Sequence, residues 1–384
     1  MTRAALRQES ISSEPRLYMA FELSHREWKL AFGVGPRNPR IVTIPARDLA
    51  RLEKEIGRAK ERLGLPGEAQ VHSCFEAGRD GFWLHRHLKK RDVHNRVVDS
   101  ASIEVSRRKK RKKTDRLDAR KLLTMLIRYL GGENDAWSVV RVPSVEDEDE
   151  RRPHRELLRL QKERTGHSNR INSLLVTQGI VLKVSRALPS QLEQVRLFDG
   201  TELGSNLKQE LLREHERWMQ VDEQIRGIRQ EQHRSTKEAL EEEFEGRPKL
   251  EMVAALMLLC GVGDRSAWPL VHEFFWRRFD NRRQVGSAAG LTGTPYDSGG
   301  SEREQGISKA GNKRIRRLMV ELSWCWLRYQ PESQITRWFE ERFGAGSSRS
   351  RRVGIVAVAR KLLIALWRYL DFGEVPEGAR FKAA

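Results

Sequence analysis

Short apolar and alternating runs open the chain and give way to a helical pattern. Residues 17–23 and 28–34 are two such runs, and the polar residues 24–27 between them predict a β-hairpin. Residues 40–44 form a third run. Beyond Pro45, apolar side chains recur at three- and four-residue spacing, which predicts a helix that Gly64 and Pro66 end. The members of that series are Leu49, Leu52, Ile56, Ala59 and Leu63.

The pattern continues with a strand at residues 70–75, a helix at 81–90 and a strand at 95–98. Three antiparallel-type strands followed by helix, strand, helix and strand are the order of an RNase H-like domain. We therefore predict an α/β domain over residues 16–143. Residues 1–15 have no apolar core of the kind a signal peptide needs, and we expect a flexible leader there.

A helical segment is predicted for residues 144–246. Ser144 and the acidic residues 146–150 are a typical helix start, since the hydroxyl caps the first turn and the acids face the positive helix end. Further along, apolar residues alternate in steps of four and three, with Glu214 as the only polar member. This seam predicts a coiled coil or a helical hairpin, which we interpret as a linker or dimerisation arm. Its apolar members are Leu207, Leu211, Trp218, Val221, Ile225 and Ile228.

Residues 247–384 predict a mainly helical domain around a glycine-rich loop. Apolar residues 252–260 run into Gly261 and Gly263, and this turn resembles a helix-hairpin-helix element, whose backbone N–H groups bind phosphate. The tract at residues 286–311 is so rich in glycine that we expect an irregular loop there rather than helix or strand. Loops of this kind approach a ligand closely, and the basic residues around this one favour phosphate.

The balance of charged residues indicates the kind of partner that the protein binds. The chain of 384 residues has 72 Lys and Arg against 53 Asp and Glu, a net charge of +19 that indicates a polyanionic partner. Three widely spaced cysteines form neither a disulfide framework nor a CxxC metal site, which favours the reducing cytoplasm. No apolar run approaches the roughly 20 residues of a membrane-spanning helix, so we expect no membrane partner.

Two aspartates begin a predicted amphipathic helix. Asp115 and Asp118 are three residues apart, so both carboxylates lie on one helical face. Like charges repel unless a cation lies between them, and the pair therefore suggests a divalent metal. The alternative is a first-turn pair stabilised by the helix dipole and by the neighbouring basic residues.

Two glutamates at strand ends favour the metal interpretation. Glu22 lies in an apolar strand, where a lone carboxylate is costly to bury, and Glu76 ends another strand before a turn. Acids at the ends of neighbouring strands, with an Asp pair on a later helix, are the ingredients of a two-metal phosphodiester site. Oxygen ligands select Mg²⁺ or Mn²⁺.

At these residues the sequence resembles the DEDD-type family of insertion-sequence transposases, of the insertion sequence 110 type. The matching segments are residues 21–24 (FELS), 75–78 (FEAG), 113–119 (KTDRLDA), 296–300 (YDSGG) and 306–312 (GISKAGN), and the resemblance covers almost the whole chain. It implies a RuvC-like first domain in which Glu22, Glu76, Asp115 and Asp118 ligate the metal. The family's first acid is usually Asp, whereas Glu22 is one methylene longer and requires the ligation mode to adjust.

The resemblance further implies that Ser298 is a nucleophile that forms a transient phosphoserine link with DNA. Its flanking glycines let the backbone approach phosphate, and nearby N–H groups and basic side chains can stabilise the charge on a transferring phosphoryl group. A free serine needs activation, and the lack of a histidine beside Ser298 in the sequence favours a metal or an acid of the first domain as the activator. Ser301 is a rival candidate for the nucleophile. The alternative is that Ser298 is a serine of a flexible loop without a chemical role.

Basic residues beside both centres are predicted to hold the nucleic-acid backbone. Residues 107–113 form an unbroken basic run immediately before Asp115, which is either a solvated tail or a salt-dependent phosphate contact. The residues predicted to bind phosphate are Arg107, Arg108, Lys109, Lys110, Arg111, Lys112, Lys113, Gly261, Gly263, Arg303, Lys309, Lys313, Arg314, Arg316 and Arg317.

The leading hypothesis is a prokaryotic transposase, associated with the nucleoid, that performs Mg²⁺-dependent DNA strand exchange. The resemblance implies guidance by a structured non-coding RNA of the element and a homodimer or homotetramer. One alternative is a RuvC-like nuclease or Holliday-junction resolvase, in which the acids activate water and Ser298 is structural. The other is a nucleic-acid-binding relic without catalytic activity.

Overall fold

The computed structural model describes residues 15–78, 80–103, 115–241, 248–298 and 301–382. The chain divides into two compact units, Met1–Pro143 and Ser144–Ala384, called here the N-terminal and C-terminal units. Within the described ranges, every helix is too short or too polar to cross a lipid bilayer.

The N-terminal unit is a five-stranded mixed sheet with three helices. Strand order across the sheet is β3-β2-β1-β4-β5; β1 to β3 are antiparallel neighbours, and β4 and β5 run parallel to β1. The alternation of strands and helices predicted from the sequence is confirmed. In chain order the elements are β1 (Arg16–Leu23), β2 (Glu27–Gly33), β3 (Arg40–Pro45), α1 (Leu49–Arg62), β4 (Gln70–Glu76), α2 (Trp83–Lys90), β5 (Val93–Val98), a 3₁₀ turn (Ser100–Ser102) and α3 (Asp115–Leu130).

The two faces of this sheet carry different side chains because residues alternate along each strand. Large residues such as Phe21 and Phe75 pack on one face with Leu52 of α1 and Leu84 of α2. The opposite face is lined by small residues, including Ala20, Ala31 and Cys74, and α3 packs there. Small side chains let the helix backbone approach the sheet closely, which brings the start of α3 near the strand ends.

The C-terminal unit is mostly helical. Its first helix begins where the sequence predicts: the Ser144 hydroxyl accepts from the Asp147 amide, and the Asp147 carboxylate accepts from the Ser144 amide, both at 3.0 Å. Its elements are α4 (Val145–Asp149), α5 (Arg152–Val176), α6 (Leu188–Gln194), α7 (Ser205–Glu241), α8 (Pro248–Leu258), α9 (Asp264–Leu270), a π-helical segment (Val271–Phe275), α10 (Arg282–Ala288), β6 (Gly293–Ser298), β7 (Ser301–Ile307), α11 (Lys313–Tyr329), α12 (Gln334–Phe339), a second π-helical segment (Glu340–Gly344) and α13 (Ser348–Phe372).

The apolar seam of α7 packs against α5 of the same chain, as in a helical hairpin. Leu157 and Leu160 of α5 form a cluster with Ile225, and Val221 and Ile228 pack against it. Glu214, the polar member of the seam, accepts a hydrogen bond from His167 Nδ1 of α5 at 2.6 Å. The polar interruption therefore has a partner across the hairpin.

The expected irregular loop at residues 286–311 is wrong as a description of the backbone. The tract contains the end of α10 and the antiparallel hairpin formed by β6 and β7. The glycines with positive φ, Gly290, Gly306 and Gly311, lie at turns or at a strand irregularity, and the segments between them are free to extend. Glycine content alone did not reveal that the positions between turns support strands.

Candidate active site

Glu22 and Glu76 lie side by side at one edge of the N-terminal sheet. β1 and β4 are parallel neighbours in which Phe21 lies opposite Phe75, so the two glutamates follow the same rung of the ladder. Both line a cavity of about 390 Å³ where these strands end. Asp80 lines it as well, with its side chain 10% exposed and its Oδ1 3.6 Å from Arg47 Nη2.

Helix α3 brings Asp115 and Asp118 to the same face of the sheet. Ala20 and Cys74 pack beneath α3. Glu22 and Glu76 lie two residues further along the same strands, so their side chains project to the same face of the sheet, which α3 covers. Asp115 lies one helical turn before the buried Ala119, and Asp118 lies one turn before the buried Leu122. Strand register and helix phase thus direct the four predicted acids to the same face of the sheet, and the cavity at the strand ends is lined by Glu22 and Glu76 but not by the two aspartates.

Lys29 links the acidic strand end to the helix. It lies opposite Glu22 in the β1–β2 ladder, and its Nζ is 3.2 Å from Asp115 Oδ2 and 2.6 Å from Glu27 Oε1. The hydrogen bond to Glu27 and the interactions with Asp115 raise the pKa of Lys29 above its ordinary value, against the opposing effect of burial. A fixed positive charge therefore stands among the carboxylates.

The donor set fits a hard divalent cation by its chemistry but does not form a closed coordination shell. Carboxylate oxygens are the ligands that Mg²⁺ and Mn²⁺ prefer. In the described part of the chain, no three His, Cys, Asp or Glu side chains lie close enough together to hold an ion. The magnesium site at Glu22, Glu76, Asp115 and Asp118 stays a prediction.

Ser298 occupies the tip of the β6–β7 hairpin. It is the last residue of β6 and lies opposite Ser301, the first residue of β7. Gly299 and Gly300, which connect the two strands, and the side chains of residues 295–298 lie outside the described part of the chain. The backbone therefore presents the predicted nucleophile and its rival Ser301 as a cross-strand pair at one hairpin end.

Two glycines lock the base of that hairpin. A Cβ added at Gly290, whose φ is +66°, would lie 2.5 Å from Arg316 Nη1 and 2.7 Å from the Ala310 carbonyl oxygen. At Gly311, with φ of +135°, the added Cβ would lie 2.5 Å from the Ala288 carbonyl oxygen. Only glycine fits either contact without moving the backbone. Their role is close packing at the hairpin base.

The basic residues that follow the hairpin differ in their partners. Arg316 donates to the carbonyl oxygens of Ala289 at 3.2 Å and Lys309 at 3.0 Å, so its guanidinium joins the two sides of the hairpin base. Arg314 contacts Glu273, and Arg317 pairs with Glu321 at 2.8 Å. Lys309 and Lys313 are exposed.

The remaining predicted phosphate ligands are less well defined by the structure. The basic run Arg107, Arg108, Lys109, Lys110, Arg111, Lys112 and Lys113 lies outside the described residues, as does the side chain of Arg303 on β7. Gly261, with φ of +84°, packs against α11, since an added Cβ would lie 3.2 Å from Tyr329 Cβ. Gly263 precedes α9 as its N-cap residue. The turn between α8 and α9 is thus supported from inside by α11.

Sequence reasoning missed three residues at these centres. Lys29 and Asp80 join the acidic edge through strand register and a turn, and Glu273 joins the hairpin region through the π-helical segment. Each is a charged residue whose neighbours in the sequence give no signal of its distant partner. Only the β-ladder register, which places Lys29 opposite Glu22, could have been anticipated from the predicted hairpin.

Comparison with known proteins assigns the chain to a family. The model of the transposase family IS116/IS110/IS902 matches residues 253–336. A Sinorhizobium fredii protein, y4rJ, described as a transposase, is 37% identical over 379 residues, which cover 95% of this chain and 94% of that protein. The transposase for insertion sequence element IS1328 of Yersinia enterocolitica is 27% identical over 223 residues, 58% of this chain and 63% of that protein. This chain belongs to the IS116/IS110/IS902 family of transposases.

Proposed function

We propose that this transposase cuts and rejoins DNA at the ends of its insertion sequence by means of two chemical centres. The first is the acidic edge of the N-terminal sheet, and the second is Ser298 at the tip of the β6–β7 hairpin. The observation that carries the proposal is that Glu22 and Glu76 directly follow the paired residues Phe21 and Phe75 on neighbouring parallel strands, while Asp115 and Asp118 begin the helix that packs on the same face of the sheet. The strand order β3-β2-β1-β4-β5 supports an RNase H-like, RuvC-type domain.

Glu22, Glu76, Asp115 and Asp118 would hold Mg²⁺ or Mn²⁺ during the reaction. A divalent ion bound there supplies charge neutralisation at the phosphodiester and lowers the pKa of the attacking hydroxyl. The protein would contribute four carboxylates, two from the strand ends and two from the first turn of α3, with Lys29 beside Asp115. Substituting Asp for Glu22 would shorten that ligand by one methylene.

Ser298 would act as the nucleophile. Its Oγ loses its proton to a base and forms a bond to phosphorus, while the bond from phosphorus to one sugar oxygen breaks and that oxygen takes up a proton. A DNA hydroxyl then attacks the phosphoserine, which restores the serine and joins the new strands. Exposed Lys309 and Lys313, which precede and begin α11, are suited to hold the backbone.

We further propose, on the family resemblance, that a structured non-coding RNA guides the protein and that it acts as a homodimer or homotetramer. The net charge of +19 supports nucleic-acid binding in general. It does not distinguish an RNA guide from DNA alone. Footprinting of co-purified RNA on the protein tests this point separately from the chemistry.

The test of the two-centre mechanism compares Asp115→Asn and Ser298→Ala on element-end DNA in the presence of Mg²⁺. Both variants are expected to bind DNA and to lose strand transfer. Cleavage that persists in Ser298→Ala but not in Asp115→Asn would indicate a RuvC-like nuclease or resolvase instead. Full activity of both variants would refute the proposal. A wild-type protein that binds DNA but does not cut it, whichever divalent metal is supplied, would indicate an inactive relic.

A further inference from the structure

Glu273 forms a buried charge cluster in the C-terminal unit. Its side chain, 6% exposed, lies in the π-helical segment Val271–Phe275. Arg155 of α5 donates to both of its carboxylate oxygens, at 2.5 and 2.7 Å, and His154 Nε2 is 3.0 Å from Oε1. Arg314 of α11 reaches the same Oε1 at 3.2 Å. One carboxylate therefore joins the base of the helical hairpin to the first turn of α11.

The charge of this carboxylate is strongly stabilised. Burial by itself raises the pKa of Glu273, but the hydrogen bonds from Arg155 and His154 outweigh it and hold the pKa well below the ordinary glutamate range. The Glu273 hydrogen bonds also raise the pKa of Arg155. A bidentate guanidinium contact of this kind fixes both distance and orientation.

The first turn of α11 in turn holds the base of the serine hairpin. Asn312 caps α11, donates its side-chain amide to the Glu273 carbonyl oxygen at 3.4 Å, and donates its backbone N–H to the Ala288 carbonyl oxygen at 2.8 Å. Arg316, one turn further on, bonds the carbonyl oxygens of Ala289 and Lys309. The contacts run from Glu273 through Asn312 and Arg316 to Ala288, Ala289 and Lys309, which flank the two strands of the hairpin that carries Ser298 and Ser301.

We propose that Glu273 is a positioning residue that fixes the orientation of the β6–β7 hairpin, and hence of Ser298, by clamping α11 to α5. The inference rests on the proposed role of Ser298. It gives Arg314 a task different from the phosphate contact that the sequence favours, since its guanidinium faces an internal carboxylate. A two-stranded hairpin is marginally stable by itself, so its orientation must come from contacts at its base.

The test measures backbone exchange and chemistry in the same full-length proteins. Glu273→Gln replaces one carboxylate oxygen by an amide group, which cannot accept a hydrogen bond from Arg155. Arg314→Met removes the guanidinium that contacts Glu273 from α11. Glu321→Gln is the matched control, because it breaks the exposed pair with Arg317 on α11 without touching the clamp. Hydrogen exchange is followed at the amides of Lys309 and Asn312, and strand cleavage is followed at saturating DNA.

We expect exchange at these amides to rise, and cleavage at saturating DNA to slow, by about tenfold in Glu273→Gln. Its affinity for DNA should not fall, because the variant loses a negative charge. Arg314→Met should show the same change in exchange, whereas Glu321→Gln should match wild type in both measurements. If Glu273→Gln fails to fold, Arg314→Met decides the question from the more exposed end of the contact.

Exchange unchanged from wild type in a folded Arg314→Met protein would overturn the inference, and weaker DNA binding alone in that variant would restore the phosphate role of Arg314. The exchange result does not depend on the chemistry of Ser298. An active Ser298→Ala protein would therefore refute the proposed nucleophile while leaving the clamp to be judged by exchange.

Discussion

The acidic edge of the N-terminal unit and the serine hairpin of the C-terminal unit hold their residues by different means. Glu22 and Glu76 are set by the ladder of a five-stranded sheet, whose register is fixed by the buried side chains on its two faces and held by backbone hydrogen bonds to neighbouring strands. Ser298 lies on a two-stranded hairpin whose position depends on Gly290, Gly311 and Arg316 at its base. The first centre should therefore tolerate side-chain substitutions structurally, and the second should be sensitive to changes far from the serine.

The largest expected effect is on cleavage, when an acid at the strand ends is neutralised without disturbing the sheet. Glu76→Gln should lower strand cleavage by about 10²–10³-fold, because it removes a charge at the reaction centre, while the sheet keeps its fold. Glu53→Gln, which alters an exposed carboxylate paired with Arg91, is the control and should keep wild-type cleavage. Kinetics at saturating DNA measure strand cleavage, and far-ultraviolet circular dichroism measures whether the fold is kept. Full activity of Glu76→Gln would show that Glu76 does not take part in cleavage.

The next effect tests the structural side. Gly290→Ala should destabilise the C-terminal unit by about 1–3 kcal/mol, because its Cβ meets Arg316 and the Ala310 carbonyl and its φ is positive. Gly293→Ala, where an added Cβ has no described atom within 4 Å, should change stability far less. Urea unfolding of both variants gives the comparison. Equal stability of the two would show that the hairpin base is not tightly packed.

A buried histidine tests how acid affects the sheet that carries the glutamates. Burial, with smaller effects of His94, Arg96 and Arg16, lowers the pKa of His72 from 6.5 to about 4. The unfolded chain therefore binds this proton first as pH falls, and stability is lost between pH 6.5 and about 4. Between pH 7 and 5, urea unfolding should show a loss of about 2 kcal/mol that is absent in His72→Phe. An identical pH dependence in the variant would contradict the assignment.

The smallest effect concerns Lys29. Its Nζ lies 3.2 Å from Asp115, so Lys29→Met should remove a positive charge that competes with a bound cation. Mn²⁺ should then bind roughly fivefold more tightly, which corresponds to about 1 kcal/mol of removed repulsion. Isothermal titration with Mn²⁺ measures the change. Weaker binding in the variant would mean that Lys29 orders the carboxylates instead of competing with the ion.

Much of the N-terminal fold follows from the sequence because its signals are local. The run at residues 17–23, the turn after it and the three- and four-residue spacing from Leu49 to Leu63 each depend on neighbouring residues alone. The placement of Asp115 and Asp118 on one helical face was predicted for the same reason, since the two residues are close in sequence. Lys29 was missed because its link to Asp115 spans 86 residues.

The C-terminal unit was harder to predict because its key contacts are distant and its glycines have mixed roles. Gly290 and Gly311 are needed for close packing, whereas Gly293 begins a strand. Composition treats them alike, which is why a hairpin was expected to be an irregular loop. Glu273 lies 118 residues from Arg155 and 41 from Arg314, and nothing in the local pattern of residues 271–275 indicates such partners.

In the proposed mechanism, Ser298 becomes covalently joined to DNA during cleavage. Wild-type protein is incubated with element-end DNA and Mg²⁺, denatured and digested with protease and nuclease, and the peptide that contains Ser298 is examined by mass spectrometry. We expect a nucleotide linked through phosphate to Ser298 in the wild-type protein, and no such link in Ser298→Ala or Asp115→Asn. DNA that is cleaved while this peptide stays unmodified, or a nucleotide attached to Ser301, would contradict it.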